Sequence, residues 1–271
     1  MSQSSDFRTG RRNLLGALGA VALPGCVAGV ATREAANAAD CRAAPRFLDL
    51  THRLTAAFAI GSPPRISHEA VDGSGKDHGM LLNRFSLVEH TGTHIDAPSH
   101  FGADRADLSQ LPLDDLIGPL AVMDVRQQAA ATTNFSILPS HIMEWEAQHG
   151  KLPDGGCLAM WSGFDPVAMM ERMSAGGGRP PNGMPGFAPE TAEWLLANRN
   201  LKGIAVDSMT LDSGDYTPEY PFHNAWLNEK RWGIEAIANL ETVPATGATI
   251  IVGAAPIEGA TGFPVRVIAM L

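Results

Sequence analysis

Beyond position 42 the chain reads as short apolar runs separated by Gly, Pro and polar turns. Residues 46–50, 84–89, 120–124, 157–161, 203–207, 248–252 and 265–271 have the length and composition of strands. Two segments read as helices. Residues 140–149 follow Pro139-Ser140, and residues 188–198 place Pro189 in the first turn, Glu190 and Glu193 in the N-terminal half, and Trp194, Leu195 and Ala197 on an apolar stripe. Strands interspersed with a few helices predict a mixed α/β fold. Residues 174–185, rich in Gly and Pro, predict a surface loop. No repeat or linker divides the region, so 39–271 is expected to be one domain.

Residues 1–38 follow another pattern. Arg11-Arg12 precedes an uncharged small and apolar run over 16–31, too short and too rich in Gly and Ala for a permanent membrane span. The segment resembles a twin-arginine (Tat) export signal, with Ala36-Asn37-Ala38 predicting a mature start near Ala39 and a periplasmic location. Leu23-Pro24-Gly25-Cys26 loosely matches a lipoprotein box, which leaves lipid anchoring through Cys26 as the alternative to cleavage.

Composition narrows the function. The formal net charge is -9; residues 1–38 contribute four Arg against two acids, which leaves about -11 on the remainder. A phosphate-backbone partner is disfavoured, and 6% aromatics leave little for base stacking. Three Cys with no CxxC pair argue against thiolate zinc or iron–sulfur sites. After export Cys41 and Cys157 would be the two thiols available to pair. Gly and Pro occupy 47 of 271 positions, against roughly 12% in average usage, which fits many turns rather than a helical bundle.

Three of the nine His fall within His90-Thr91-Gly92-Thr93-His94-Ile95-Asp96-Ala97-Pro98-Ser99-His100. His90, His94, Asp96 and His100 are all on even positions, so in an extended chain they project to one face and Ile95 and Ala97 to the other. Gly92 allows a bend between the first two, and Pro98 stops ladder pairing before His100. Such a line of imidazoles and a carboxylate is costly to bury unless something positive satisfies it, and a divalent cation does so directly. The N/O donor set suits zinc or manganese better than iron.

The pattern His90-x-Gly92-Thr93-His94-x-Asp96-x-Pro98-x-His100-Phe101 resembles the signature of the metal-dependent cyclase family, which includes bacterial kynurenine formamidase and isatin hydrolase. Asp49-Leu50-Thr51-His52, Gly203–Ser208 and the tail over 253–269 are similar to its opening, later core and closing strands. The resemblance implies a swivelling β/β/α arrangement, a homo-oligomer, and hydrolysis of the amide bond in a small aryl-formamide or cyclic amide by a metal-activated water. It implies His90, His94 and Asp96 as the first metal group and His100 as the catalytic histidine. A distal His and a Glu twelve residues later complete two-metal members, and His223 and Glu235 have that spacing, so two ions per chain are expected. Glu241 competes with Glu235 on the residues alone, because Ile234, Ile237 and Leu240 form a helical apolar set that includes neither acid.

Phe58 stands in a loop where the formamidases usually carry Trp, and the 174–185 loop is longer than a minimal member needs; both differences weigh against kynurenine as the particular substrate. Other features read as packing or turns. Ser162 lacks a GxSxG elbow, Met169, Met170 and Met173 read as core or loop packing, and Asp207, Asp212 and Asp215 read as turn residues or as supports for ligands. His52 and His78 are further candidates for the pocket lining. A periplasmic metal- or small-solute-binding protein without turnover is the alternative function, and it would make His100 dispensable.

Overall fold

The apolar runs at 120–124, 157–161 and 203–207 become central strands of one nine-stranded sheet, because both of their faces are covered, whereas the run at 84–89 falls in a separate exposed pair of strands. A computed structural model describes residues 44–55, 66–71, 81–178, 183–227 and 230–271. The export segment with Cys26, and also Cys41, Phe58 and His78, lie outside these residues. In chain order the elements are β1 (Phe47–Asp49), β2 (Ile66–Ala70), β3 (Asn83–Leu87), β4 (His94–Asp96), β5 (Ile117–Asp124), α1 (Arg126–Ala131), β6 (Ser136–Ile137), α2 (Pro139–His149) and β7 (Cys157–Trp161). There follow α3 (Pro166–Ser174), β8 (Gly186–Phe187), α4 (Pro189–Asn198), β9 (Gly203–Val206), α5 (Pro221–Leu227), β10 (Trp232–Glu235), β11 (Ala248–Gly253), β12 (Gly262–Pro264) and β13 (Arg266–Met270).

The sheet order is β1-β13-β11-β5-β7-β9-β10-β4-β12. The centre, β5-β7-β9-β10, is parallel, so each step needs a helical crossover; α1 and α2, then α3 and α4, then α5 supply them. Antiparallel strands extend both sides, with β4 on β10 and β12 on β4 at the end that concerns function. Two small sheets, β2-β3 and β6-β8, stand apart.

Alternation along the central strands makes two cores. Leu120, Val122, Cys157, Ala159 and Ala205 join one cluster; Ala121, Met123, Leu158, Met160, Ile204 and Val206 join the other, under the helices. The first cluster also gathers Leu50, Ile95, Ile234 and Val267 from strands far apart in the order, so the sheet curls around it. A bridge between Thr51 and Ile237, with Ala238 N–H donating to the Leu50 carbonyl at 2.9 Å, links the two arms of the curl. This mixed α/β architecture is the one expected. Among the described residues no helix is long and apolar enough to cross a membrane.

Two expectations are corrected. Residues 234–240 are not helical: β10 ends at Glu235, and Ala236 and Asn239 then take φ values of 52° and 57°, which break any helix. Met169, Met170 and Met173 lie on a helix, α3, whose start is fixed by Pro166 and by Asp165 accepting from Ala168 N–H. Cys157 is a buried free thiol whose pKa burial pushes up.

Gly203 lies opposite Trp232 in the β9–β10 ladder, and a Cβ there would lie 2.1 Å from two carbons of the indole ring. The ring has no room to yield, since it is 1% exposed and its Nε1–H donates to the Asp115 carbonyl at 2.8 Å. Gly203→Ala should therefore destabilise the fold by about 1–3 kcal/mol in urea or thermal denaturation; an unchanged midpoint would contradict this packing.

Candidate metal centre

The site is built on β4. His94 and Asp96, two residues apart in a strand, share a face, while Ile95 between them is buried in the core. Glu235 on β10 stands directly opposite His94 in the antiparallel register, so its side chain joins the same face. His223 arrives from α5. The expected single extended run from 90 to 100 is shorter than the alternation suggested. His90 precedes the strand in a bend beside Gly92, which has φ 67°, and His100 follows it in a 3-10 turn over Pro98–Phe101. The fold nevertheless brings all six predicted site residues together.

Asp96 is fully buried and is the hub. Its Oδ1 lies 2.6 Å from His90 Nδ1 and 3.4 Å from His94 Nε2; its Oδ2 lies 3.6 Å from His223 Nε2. Glu235 Oε2 is 3.5 Å from His94 Nε2, and Glu235 Oε1 is 2.9 Å from His223 Nε2. Each ring is held from behind. His94 Nδ1 bonds the Gly92 carbonyl at 2.8 Å, His223 Nδ1 bonds Asp212 Oδ2 at 2.5 Å, and His90 Nε2 bonds Thr261 Oγ1 at 3.0 Å. With Nδ1 so engaged, His94 and His223 turn Nε2 towards the carboxylates. Asp212 is itself fixed by the backbone N–H groups of Phe222 and His223.

His94 Nε2 and Asp96 Oδ2 are buried and make no hydrogen bond in the structure. An imidazole nitrogen and a carboxylate oxygen, each with a lone pair and no such partner at the centre of a cluster, are what a cation would satisfy. One nitrogen or oxygen from each of His94, Asp96 and Glu235 falls within a mutual 4.8 Å, and the same holds for His90, Asp96 and His100. The residues thus fit a divalent cation, with Asp96 common to both groups. Glu241, the competing acid, belongs to neither group.

Burial alone would lower the pKa of His94, but the close approach of Asp96 and the charges of Asp96 and Glu235 raise it to about 9. Burial opposes His223 in the same way, and Asp212, Asp96 and Glu235 raise it well above the usual value. Burial would raise Asp96, yet the imidazoles of His223, His90 and His94 hold it well below the carboxylate range. His100 differs: burial, with the neighbouring imidazoles, lowers it to about 4. Its ring stacks on His90 with centroids 3.8 Å apart.

A cavity of about 500 Å³ opens over the cluster, and Met169, Met170, Met173, Met184 and Met209 line it with Phe101 and Tyr220. The methionines first read as packing therefore face the site. A neighbouring cavity of about 540 Å³ shares Met169 but none of the six predicted site residues. His52 does not line the cavity over the site; its backbone N–H bonds Thr93 Oγ1. Ser162 and Asp207 bond each other, and Asp207 also accepts the backbone N–H groups of Ser162 and Gly163. Thr261 escaped sequence reasoning, because it lies 171 positions from the His90 it touches.

A curled mixed sheet bearing a buried imidazole–carboxylate cluster defines a class of metal-site protein. The Cyclase family model, described as "Putative cyclase", matches residues 48–213, and the chain belongs to this family. Isatin hydrolase of Roseibium aggregatum is 30% identical over 221 residues, covering 79% of this chain and 84% of that protein. Kynurenine formamidase of Salinibacter ruber is 28% identical over 192 residues, covering 71% and 81%. The solved structure of isatin hydrolase A from Labrenzia aggregata, bound to benzyl benzoate, superposes with a TM-score of 0.72 at 30% identity, covering 84% of this chain and 94% of that one.

Without metal, the raised histidines stabilise the fold below the unfolded histidine pKa of about 6.5, and that contribution is lost as pH rises through the folded value of about 9 for His94. Asp96 acts in the opposite sense, its contribution being lost as pH falls below about 3.9. Thermal melts in chelator should show Tm falling by roughly 2–4 °C or more between pH 6.5 and 9.5. Saturating metal should reverse the trend, since ligands bind it deprotonated. A flat Tm in chelator would exclude the protonated cluster.

Proposed function

We propose that the protein is a metal-dependent hydrolase that cleaves the C–N bond of a small aryl-formamide or cyclic amide. The observation that carries this reading is a buried N/O donor cluster with orphaned atoms beneath an apolar cavity of about 500 Å³. The relatives named isatin hydrolase and kynurenine formamidase support the reaction class.

His90, His94 and Asp96 would hold one divalent ion, and His223 and Glu235 would contribute to holding a second. When bound, such ions would supply Lewis-acid chemistry, making water acidic enough to attack near neutral pH and an amide carbonyl easier to attack. The chain's own groups do the rest. His100, unprotonated at neutral pH, takes a proton from the attacking water and returns it to the departing nitrogen as the C–N bond breaks. The methionine wall, with Phe101 and Tyr220, favours a flat apolar substrate, because thioethers are polarizable and adapt to aromatic edges. Arg11-Arg12 and the run that follows would send the enzyme, already folded, through the Tat route to the periplasm.

The test is metal analysis, expecting about two zinc or manganese ions per chain, followed by a hydrolysis screen over formanilides, isatin and cyclic imides with and without chelator. His100→Ala should lower kcat by about 10²–10⁴-fold with metal content unchanged. Loss of metal in that variant would make His100 a ligand, and a metal-loaded wild type that cleaves none of these compounds would leave a binding protein.

A further inference from the structure

His90 is engaged at both ring nitrogens. Nδ1 lies 2.6 Å from Asp96 Oδ1, and Nε2 lies 3.0 Å from Thr261 Oγ1. Which nitrogen carries the proton of the neutral ring is decided one residue further out. Thr261 Oγ1 donates to Glu89 Oε2 at 2.6 Å. A carboxylate can only accept, and a hydroxyl has one proton to give. With that proton committed to Glu89, the Thr261 oxygen offers His90 only lone pairs, so Nε2 must be the N–H. Nδ1, whose proton is the one shared with Asp96 at 2.6 Å, is then the nitrogen whose lone pair becomes available when a cation displaces that proton.

This outcome runs against the local electrostatics. Left alone with Asp96, a neutral His90 would place its proton on Nδ1, towards the carboxylate, and Nδ1 would be closed to a cation. Without Glu89, the Thr261 hydroxyl would be free to turn and donate to Nε2, supporting that blocking tautomer. The rest of the surroundings fix the pair in place. The Thr261 N–H approaches both Glu89 oxygens at 3.3 Å, and the Thr261 carbonyl accepts from Ala97 N–H at 2.8 Å, one residue after Asp96. Gly262 supplies the room: a Cβ there would lie 2.5 Å from His90 Cε1 and 3.0 Å from Nδ1.

We infer that Glu89 and Thr261 are positioning residues that hold His90 as the Nε2–H tautomer and so present Nδ1 as a metal donor. The inference rests on the metal centre proposed above. Outer partners of this kind are worth about 10–100-fold in metal affinity.

Calorimetric titration of the metal-free protein with Zn²⁺ should show Kd weakened about 10–100-fold in Thr261→Val, with the far-UV circular dichroism of the folded protein unchanged. Thr261→Ser, which keeps the hydroxyl, should restore the wild-type Kd. Glu89→Gln should also weaken binding, because its amide can donate to Thr261 and reverse the direction of the chain. Wild-type Kd in both Thr261→Val and Glu89→Gln would overturn the assignment. The proton on Nε2 is read by ¹⁵N NMR of histidine-labelled, metal-free protein. A protonated Nε2 at His90 is expected, whether or not Nδ1 also carries a proton towards Asp96, and an unprotonated Nε2 overturns the proposal. That readout holds even if the wild type binds no Zn²⁺, a result that would sink the metal reading and not the assignment of the pair.

Discussion

A carboxylate taken wholly out of water costs several kcal/mol unless positive charge and hydrogen bonds surround it. Asp96 has no exposed surface, and the local architecture meets that demand. Its strand is flanked on both sides, and the residues directly opposite it are Gly233 on β10 and Gly262 on β12. With no side chain on either neighbour, three imidazoles can converge on the one carboxylate. A Cβ at Gly262 would press on His90, and one at Gly233 on Leu211, whose backbone N–H holds Glu235 at 3.2 Å. The sheet therefore makes room for the polar cluster by omitting atoms, and the same strand anchors the core through Ile95.

The carboxylates around this hub fix backbone as well as side chains. Asp212 accepts two N–H groups at the start of α5 and sets the ring of His223, which joins the helix to the site. Asp207, raised to about 6 by burial, gathers three donors from Ser162 and Gly163 and so fixes the exit from β7 towards α3. Of these two acids, which the sequence suggested as turn or supporting residues, Asp212 supports a site histidine and Asp207 holds a turn. Their burial is tolerable because every one of these bonds is made within the protein, where water would otherwise be needed.

Legibility in the sequence followed the physics of each element. The central strands and helices α2 and α4 could be read because a doubly buried strand is continuously apolar and a Pro marks each helix start. β10 could not, since Ile234, Ile237 and Leu240 have helical spacing and only the left-handed residues Ala236 and Asn239 show that the chain turns instead. The six site residues could be named from motif and spacing, yet the alternation argument held only for His94 and Asp96, where the strand is real. His90 and His100 reach the site by a bend and a 3-10 turn, which an alternating pattern mimics by chance. Thr261 carried no signal at all, because one sequence contains no trace of a contact spanning 171 positions.

Chemistry and selectivity fall on different parts of the fold. The polar floor of the cavity comes mainly from paired strands and from a helix tied to a buried carboxylate, so its atoms have little freedom. The wall comes largely from α3, which follows the turn that Asp207 holds and leads into Gly176-Gly177-Gly178 rather than into a strand. Its methionines are unbranched and polarizable, and they can reshape without disturbing the sheet. A floor fixed by the core and a wall free to vary is the arrangement in which one metal chemistry is kept while substrates change. On the hydrolase reading proposed above, a substitution on α3 would shift which substrate is accepted, whereas a change at Asp96 would remove the reaction for all of them.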